Sequence, residues 1–458
     1  MAGLFGALQI AVQSLLADQG AIDVAANNVA NVNTPGYSRE EAVLTELPPQ
    51  QFGDVQFGTG VELQTIQADR SNILDLRLNQ ETQQQGSIDT EVQGLNQIQA
   101  LFNDNAGSGL GSVISAFFNS FQQLASDPSN VGFRDAVLAA AQNMTAAFRQ
   151  TAGGLVTQQQ DLDQSVVQQV GQINQLTSQI AQLNDEVAAA QTGTSSANTL
   201  VDQRGQLITQ LSQLLDVTTI DAGNGTLTLT TSNGDALVVG IASFALSTQP
   251  DATTGLQDVF AQGQNITSNI TAGSLGGTLA LRDQEIPKVL TSLDTLASGI
   301  ATSVNSTNAA GFDLNGNPGG NFFVPPPAGA GAALNFNVAI ADTSLIAASS
   351  DGSSGSNGNA NALAALATQN IAGGQTPTTF YAGIVSTVGN DASAAQSQQQ
   401  SVSLLVQQLQ DQRGAVSGVS LDEEAANLAK FQTAFDAAAR IVTVVDNLTQ
   451  TVINMAAS

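Results

Sequence analysis

Apolar side chains recur at steps of three and four residues over long stretches of this 458-residue chain, and this periodicity constrains the fold more than any other feature. Between residues 162 and 187 one such stripe continues for about seven helical turns beside Gln-rich positions, which is the spacing of a coiled coil. Similar stripes follow residues 3–32 and 420–456. A chain this long exceeds what one hydrophobic core usually organises. The pattern predicts a mainly α protein, an elongated helical bundle with coiled-coil-like terminal helices.

Interruptions of the helical pattern indicate where other structure enters. Residues 226–230 alternate between Thr and Leu, and Asn233-Gly234 is a tight hairpin signal, so the sequence predicts a β-rich insertion there. Residues 306–380 are rich in Gly, Pro and Asn and predict loops with short strands. The remaining long segments are expected to be helical, namely 61–105, 112–216, 279–305 and 382–456.

These interruptions divide the chain into three expected domains. The first is a terminal helical assembly domain formed by residues 1–50 and 400–458. The second is a helical rod domain formed by residues 51–216 and 276–399, with the loop-rich segment 306–380. The third is a β-rich outer domain covering residues 217–275.

The composition excludes most catalytic chemistry. The chain has no His, Cys or Trp, so disulfides, thiolates, imidazole catalysis and structural zinc sites are excluded. Its only lysines, Lys288 and Lys430, lack the Ser-x-x-Lys context of a Ser-Lys nucleophile. We therefore expect no enzyme activity, no catalytic residue and no cofactor.

Two acidic segments resemble sites but have simpler explanations. Asp313, Asn315 and Asn317 have the spacing of the first three calcium ligands of an EF-hand, but Val324 stands where the bidentate acid belongs, so a turn is expected and no metal. The run Asp422–Glu424 lies in the first turn of a predicted helix, where carboxylates compensate the helix dipole.

The charge pattern restricts the partners. A net charge of -27 repels nucleic acid and anionic membranes. Only 11% of residues are charged, against about 25% in typical soluble domains, which favours a chain that packs against copies of itself or works outside the cell. The first basic residue is Arg39, and no apolar run reaches about 18 residues, so we expect neither a Sec-type signal peptide nor membrane insertion.

A specific phrase follows the first predicted helix, and a second one opens the last. The first is Ala-Ala-Asn-Asn-Val-Ala-Asn-Val-Asn-Thr-Pro-Gly-Tyr-Ser-Arg, residues 25–39, and the second is Leu-Asp-Glu-Glu-Ala-Ala-Asn-Leu, residues 421–428. Together they resemble the terminal signatures of the flagellar rod, hook and hook-associated proteins. Stretches 276–283, 312–316 and 342–348 are similar to internal landmarks of the hook-associated members. The motif residues are Asn28, Asn31, Asn33, Thr34, Pro35, Gly36 and Tyr37.

The resemblance implies a structural component of the bacterial flagellum that self-assembles as the junction between hook and filament. Its implied partners are copies of itself, the hook protein, a second hook-associated junction protein on the filament side and a flagellar export chaperone. It also implies an extracellular location reached through the flagellar export channel without a cleaved signal. Two alternatives stay open: a hook or distal-rod protein, and a secreted helical adhesin or effector.

The terminal stripes provide the expected assembly interface. An isolated pair of terminal helices buries too little apolar surface to offset the entropy of ordering both ends, so we expect these ends to become ordered on assembly. The expected interface residues are Leu4, Leu8, Leu15, Ile22, Val29, Leu428, Phe431, Phe435, Val442, Val445, Leu448 and Val452.

Overall fold

The computed structural model describes residues 2–52, 55–102, 109–192 and 197–457, and it confirms a mainly α fold with a β-rich insertion. Within these residues, no helix is both long and apolar enough to cross a membrane. The α-helices are α1 (Ala2–Ala30), α2 (Asn72–Ala100), α3 (Leu110–Ser126), α4 (Val131–Thr192), α5 (Asn198–Leu214), α6 (Gly273–Ala280), α7 (Ile286–Ala309), α8 (Gly358–Ala365), α9 (Pro377–Ser417) and α10 (Leu421–Ala457).

Short antiparallel sheets occupy two parts of the sequence. The strands are β1 (Glu40–Glu46), β2 (Gln50–Phe52), β3 (Val55–Phe57), β4 (Val61–Ala68), β5 (Val217–Asp221), β6 (Leu227–Thr231), β7 (Ala236–Val239), β8 (Ala242–Ser243), β9 (Leu246–Pro250), β10 (Gln257–Ala261) and β11 (Gln264–Asn265). β1 pairs with β4, and β2 pairs with β3. The insertion contains a four-stranded sheet in the order β5-β6-β7-β8 and a three-stranded sheet in the order β11-β10-β9. The Asn233-Gly234 hairpin therefore connects β6 to β7, as the sequence predicts.

The chain divides into two compact units. Unit 1 comprises Met1–Gln83, Ile173–Leu246 and Ser403–Ser458, and unit 2 comprises Gln84–Gln172 and Ser247–Val402. Because α2, α4 and α9 each contain a unit boundary, long helices contribute residues to both units.

One sequence prediction is wrong in unit 1: residues 61–68 are strand β4, and helix α2 begins only at Asn72. Residues 103–105, the end of that predicted helix, lie outside the described residues. Half of residues 61–68 are Gln, Glu or Leu, which favour a helix in isolation. Pairing with β1 and packing against α1 override this preference. The packing is close, since a Cβ at Gly20 would lie 2.7 Å from the Leu63 Cδ2 atom.

The core of unit 2 joins its helices to the loop-rich segment 306–380. Phe117 and Phe121 on α3 stack edge-on at 5.2 Å between ring centroids, and both contact Phe322 at 5.8 Å. Phe323 and Phe336 extend this aromatic cluster and are also buried. The segment therefore packs against the helices of unit 2 through its own aromatic side chains.

Buried polar side chains fasten the same segment. The Arg134 guanidinium on α4 donates to the carbonyls of Thr343 and Ile346 at 3.1 and 2.8 Å. The Asn305 side chain pairs with both backbone groups of Phe323 at 2.8 and 2.9 Å. These buried side chains thus supply hydrogen-bond partners for backbone groups that lie outside helices and sheets. As expected, Asp313 forms a turn, in which its carboxylate accepts the N–H groups of residues 315 and 317.

The landmark at residues 276–283 is a close-packed corner of unit 2. A Cβ at Gly277 would lie 2.5 Å from the Ser87 carbonyl oxygen, so only glycine allows α6 to approach α2 this closely. Arg282, 1% exposed, follows in a π-helical turn and donates to the carboxylates of Asp163 and Asp283, both at 2.7 Å. Burial opposes the guanidinium charge, but the pKa of Arg282 is raised overall by Asp283 and Asp163.

Candidate assembly interface

The two terminal helices pack against each other in unit 1, with the first turns of α1 beside the last turns of α10. On α10, most side chains that are buried or partly buried follow a heptad spacing, and Asn427, Ala434 and Ala439 are partly buried beside it. The heptad positions are Glu424, Leu428, Phe431, Phe435, Ala438, Val442, Val445 and Thr449. The heptad stripe read from the sequence therefore coincides with this seam as far as Val445, whereas Leu448 and Val452, assigned to the same stripe, are exposed.

The face of α1 that is fully buried consists mainly of small residues. Ala11, Ala17, Ala21 and Ala25 are each at most 3% exposed. Small side chains let a helix lie close to its neighbours, and α1 has two of them, α10 and the β1–β4 sheet. The larger α1 residues of the expected interface lie at the margin of this face and are partly buried, namely Leu4, Leu8, Leu15, Ile22 and Val29.

The expected interface residues of α10 fall into two groups. Five of them lie in the intramolecular seam and are partly or fully buried: Leu428, Phe431, Phe435, Val442 and Val445. The other two, Leu448 and Val452, are 49% and 41% exposed and lie near the end of the helix.

A second apolar stripe stays exposed beside the seam. Sequence reasoning included Leu448 and Val452 in the interface but did not separate them from the seam, and it missed Ile441 and Val444. On α10 the stripe consists of Ile441, Val444, Leu448, Val452 and Met455. On α1, Phe5 is 62% exposed, and Val12 and Leu16 follow on the same side. The signal available in the sequence was that apolar residues occupy more positions here than one heptad seam needs.

The stripe marks one end of the helix pair, residues 3–17 and 441–455, which we call the tip. Asp446 is the only charged residue in it. An open groove of about 630 Å³ lies between the helices here, lined by Leu4, Leu8, Val445, Val452 and neighbouring residues. An exposed apolar surface with a single charged residue is typical of a site that contacts another molecule.

The opposite end of the pair is closed by polar contacts. Five consecutive residues after α1, Pro35 to Arg39, each form a hydrogen bond with a side chain on a helix of unit 1. In order, their partners are Gln206 on α5, Arg413 on α9, Asn28 on α1, Asp202 on α5 and Glu424 on α10. We call these residues and their partners the joint. Thr34 stands just before them and donates to the Asn31 side chain at 3.1 Å, whereas Asn33 is exposed.

Asn28 is the fully buried member of the joint, at the last turn of α1. Its side-chain amide pairs with the backbone of Glu40 in both directions, at 2.8 and 2.9 Å. The Tyr37 hydroxyl donates to the same Asn28 Oδ1 at 2.8 Å. Burial, and then the nearby Glu40 carboxylate, raise the pKa of Tyr37, so the hydroxyl keeps the proton that this bond needs. Asn28 thus fixes the position of Glu40, the first residue of β1, relative to the last turn of α1.

Gly36 has a backbone conformation that suits glycine alone. Its φ is +78°, and a Cβ there would lie 2.6 Å from Gln206 Nε2. The Arg413 guanidinium donates to the Gly36 carbonyl at 3.3 Å and to the Asp75 carboxylate at 2.8 Å. The Pro-Gly step therefore lets the chain turn between α5 and α9.

Asp202 and Arg70 hold the next residue of the joint. Ser38 donates to the Asp202 carboxylate through both its N–H at 2.9 Å and its hydroxyl at 2.8 Å. Arg70 donates to the same carboxylate at 2.9 and 3.0 Å. Four donors to one carboxylate leave it well compensated although it is largely buried.

Arg39 connects the joint to the start of α10. Its guanidinium lies 2.9 Å from the buried Glu424 carboxylate and 3.1 Å from Glu423. Burial opposes the charge, but the hydrogen bond and the attraction of Glu424, together with Glu423, raise the pKa of Arg39 overall. The Ser420 hydroxyl accepts the Glu423 N–H at 3.4 Å, as a capping residue does, while the Glu423 carboxylate binds Arg39.

Family models match three parts of the chain. The model described as flagellar hook-associated protein FlgK helical domain matches residues 95–323, which is half of the chain. Residues 8–37 match the flagella basal body rod protein model, and residues 412–455 match the flagellar basal body rod FlgEFG protein C-terminal model. The last two matches include residues 8–17 and 441–455 of the tip, and they include Asn28, Pro35, Gly36, Tyr37, Arg413 and Glu424 of the joint.

Known relatives match over nearly the whole length. The chain is 29% identical over 500 aligned positions to flagellar hook-associated protein 1 of Bacillus subtilis, covering 99% of both chains. It is 26% identical to that of Salmonella typhimurium, covering 97% of this chain and 99% of the relative. The fold is similar to that of the flagellar hook junction protein FlgK from Burkholderia pseudomallei, with a TM-score of 0.69, 20% identity, and coverage of 74% of this chain and all of that one. The chain therefore belongs to the flagellar hook-associated protein 1 family, and its role in the flagellum is structural.

Proposed function

We propose that this chain is a non-enzymatic subunit of the hook–filament junction and that it assembles through the tip of its paired terminal helices. The observation that carries the proposal is the second apolar stripe, which remains exposed after α1 and α10 have paired. The chain belongs to the flagellar hook-associated protein 1 family, and this supports the proposal that the stripe packs against other flagellar subunits.

Burial of this stripe contributes favourable free energy to assembly. Fully burying a Val, Leu, Ile or Phe side chain contributes about 1.5–3 kcal/mol. The stripe residues on α1 and α10 are about half exposed, so each contributes on the order of 1 kcal/mol when a neighbour covers it. Several such residues on each copy offset at least part of the loss of translational and rotational freedom on association.

The same surface explains why the chain carries so few charges at its ends. Residues 3–17 contain no charged side chain, and a charge buried between subunits without a partner would cost several kcal/mol. Head-to-tail contacts between identical copies that do not close produce a helical tube. We propose copies of this chain, the hook protein and a second hook-associated protein as neighbours in that structure.

Export fits the same proposal. We propose that the chain leaves the cell through the flagellar export channel without a cleaved signal, with an export chaperone covering the apolar tip beforehand. A tip that is apolar and carries a single charge needs such cover, because an exposed apolar patch favours aggregation in solution.

The test is decoration of purified hooks. We expect the unaltered chain to bind hook ends in electron micrographs, and Val444→Asp/Leu448→Asp to lose that binding while its circular dichroism stays unchanged, because both side chains are exposed. The matched control is Gln432→Asp/Thr433→Asp, which adds the same charge to exposed positions of α10 outside the tip. Normal decoration by the tip variant would refute the proposed interface.

The same experiment separates the alternatives. A hook or distal-rod protein would extend hooks into longer tubes, whereas a junction protein adds a short cap of limited length. The landmark at Arg282-Asp283 and the Gln-rich helices argue for the junction protein. A chain that ignored hooks but bound host cells would support the secreted adhesin.

A further inference from the structure

The chain contains Asn-Gly pairs at positions 224, 233, 315 and 357. This dipeptide is chemically the most prone to lose side-chain ammonia, because glycine has no Cβ to hinder the following nitrogen from reaching the Asn side chain. A folded protein can suppress or favour the reaction at each pair, depending on what the two residues contact. The four pairs differ in these contacts.

Asn224 lies in the loop between β5 and β6 in unit 1, and its side chain is exposed to water. Its Oδ1 atom accepts two hydrogen bonds from Thr226, one from the N–H at 3.1 Å and one from the hydroxyl at 2.7 Å. Two donors on one carbonyl oxygen polarise the carbonyl and stabilise the negative charge that forms when a nucleophile adds to it.

The nucleophile is the backbone nitrogen of Gly225, a residue that lies beside the Gln191 side chain. Among the described residues, the Gly225 N–H donates to no acceptor. At two other pairs the glycine N–H is hydrogen-bonded. Gly234 N–H donates to the Thr231 carbonyl at 3.0 Å, and Gly316 N–H donates to the Asp313 carbonyl at 3.1 Å. At the fourth pair the Asn357 side chain itself is held, since its Nδ2 donates to the Ala125 carbonyl at 2.8 Å.

A buried cation lies against the same peptide group. Arg204 on α5 is 5% exposed, and its Nη1 donates to the Gly225 carbonyl at 2.7 Å and to Asn184 Oδ1 at 2.8 Å. Within the described part of the chain no carboxylate forms an ion pair with it, and its Nε atom has no partner. Burial lowers the pKa of Arg204 to about 10, against the opposing pull of Asp221, so it stays charged at neutral pH. A nearby buried cation that forms no ion pair favours the deprotonated Gly225 nitrogen.

We propose that Asn224 is a site of spontaneous deamidation in the folded protein. Solvent base removes the Gly225 N–H proton, and the nitrogen attacks Cγ of Asn224. The new N–Cγ bond closes a succinimide ring, Nδ2 takes a proton from water, the Cγ–Nδ2 bond breaks, and Nδ2 leaves as ammonia. Water then opens the ring to aspartate or to isoaspartate, and no atom is oxidised or reduced.

The product changes the turn that Arg204 holds. Either product carries a new carboxylate next to the residue whose carbonyl binds the guanidinium, which supplies the missing counter-charge. The isoaspartate form also adds one atom to the backbone between β5 and β6. Its formation therefore records the age of an assembled chain.

The experiment is incubation of the full chain at mildly alkaline pH, followed by proteolysis and mass spectrometry of the Asn-Gly peptides. In the folded chain we expect Asn224 to react about fivefold or more faster than Asn233 and Asn315, the factor that corresponds to one net hydrogen bond. In urea the positions should react at similar rates, because their folded contacts are gone. Equal or slower reaction at Asn224 in the folded chain would overturn the proposal.

Two variants sharpen the result. Asn224→Gln should remove the fast product, which confirms the assignment of the peptide. Thr226→Val keeps the side-chain shape but deletes the 2.7 Å hydroxyl contact, so we expect slower deamidation in a chain with unchanged circular dichroism. A rate equal to that of the unaltered chain would contradict the part assigned to the hydroxyl.

Discussion

The two ends of the α1–α10 pair have opposite surfaces. Residues 421–440 of α10, at the joint, contain Asp422, Glu423, Glu424, Lys430, Asp436 and Arg440, whereas residues 441–455, at the tip, contain only Asp446. At the joint, the buried polar groups of Asn28 and Glu424 have partners within the chain. At the tip, apolar side chains stay exposed.

This difference teaches that folding and assembly use separate parts of one helix pair. The joint is specified by hydrogen bonds that are complete in a single molecule, so its contribution to stability does not depend on other copies. The tip lacks such bonds, and the apolar surface that it exposes is stabilised only when another molecule covers it. Changes at the joint should therefore alter stability, and changes at the tip should alter assembly.

The largest expected effect is at the buried ion pair of the joint. Arg39→Met leaves the Glu424 carboxylate, 2% exposed, without its guanidinium partner. Breaking a buried pair from one side costs about 3 kcal/mol. We expect that loss in urea unfolding and faster hydrogen exchange at the start of α10.

The matched control is Arg440→Met on the exposed surface of the same helix, which should change stability by less than about 0.5 kcal/mol. The double variant Arg39→Met/Glu424→Met should recover part of the loss, because no charge is then left buried. Equal stability of the two single variants would contradict the role given to this ion pair.

Asn28→Ala should have the next largest effect. It leaves the N–H and the carbonyl of Glu40 without their side-chain partner at a buried position, which costs about 2 kcal/mol. The exposed Asn33, five residues along the same motif, is the control, and Asn33→Ala should be close to neutral. Thermal unfolding followed by circular dichroism measures both, and a larger loss at Asn33 would refute this account of the motif.

The features that the sequence predicts well are local ones. The Asn233-Gly234 hairpin and the turn at Asp313 depend on residues within a few positions of each other. The heptad spacing of α10 can likewise be read from the sequence, because it follows from the geometry of a single helix. The sequence could thus show that α10 has a seam.

The features that it does not predict depend on distant partners. Whether Leu448 faces α1 or solvent is decided by where α1 and the β1–β4 sheet lie, and these are far away in the chain. Residues 61–68 become a strand because β1 pairs with them, although their own composition favours a helix. Arg39 likewise reaches Glu424 across 385 positions of sequence, so only the fold brings them together.

A smaller effect on stability is expected when one glycine at the joint and one at the tip are each replaced by alanine. Gly36→Ala at the joint forces a Cβ into a φ of +78° and toward Gln206, which should cost about 1–2 kcal/mol. Gly6→Ala at the tip meets no atom within 4 Å and lies inside a helix, so it should stabilise α1 by up to about 1 kcal/mol. Urea unfolding of the two variants should therefore shift in opposite directions, and a shared direction would contradict the comparison.

The smallest effect concerns Asp18, which lies on α1 just beyond the tip. Its carboxylate is buried and accepts a hydrogen bond from the Ser14 hydroxyl at 3.2 Å. Burial raises the pKa of Asp18 above the ordinary 3.8, although the Ser14 bond works in the other direction. Because the folded chain favours the protonated acid more than the unfolded chain does, stability increases as the pH falls from neutral through the raised pKa, and it levels off below 3.8.

Asp18→Asn tests this sign, since it replaces the buried charge by a neutral group of the same shape. We expect a gain of less than about 1 kcal/mol in the free energy of unfolding near neutral pH, which shrinks as the pH falls because the unaltered carboxylate becomes neutral as well. Urea unfolding at several pH values measures the difference, and hydrogen exchange along α1 locates it. Asp23→Asn, on the exposed side of the same helix, should change little at any pH. A destabilised Asp18→Asn at neutral pH would mean that the ionised carboxylate stabilises α1, and the boundary between tip and joint would then be held by charge.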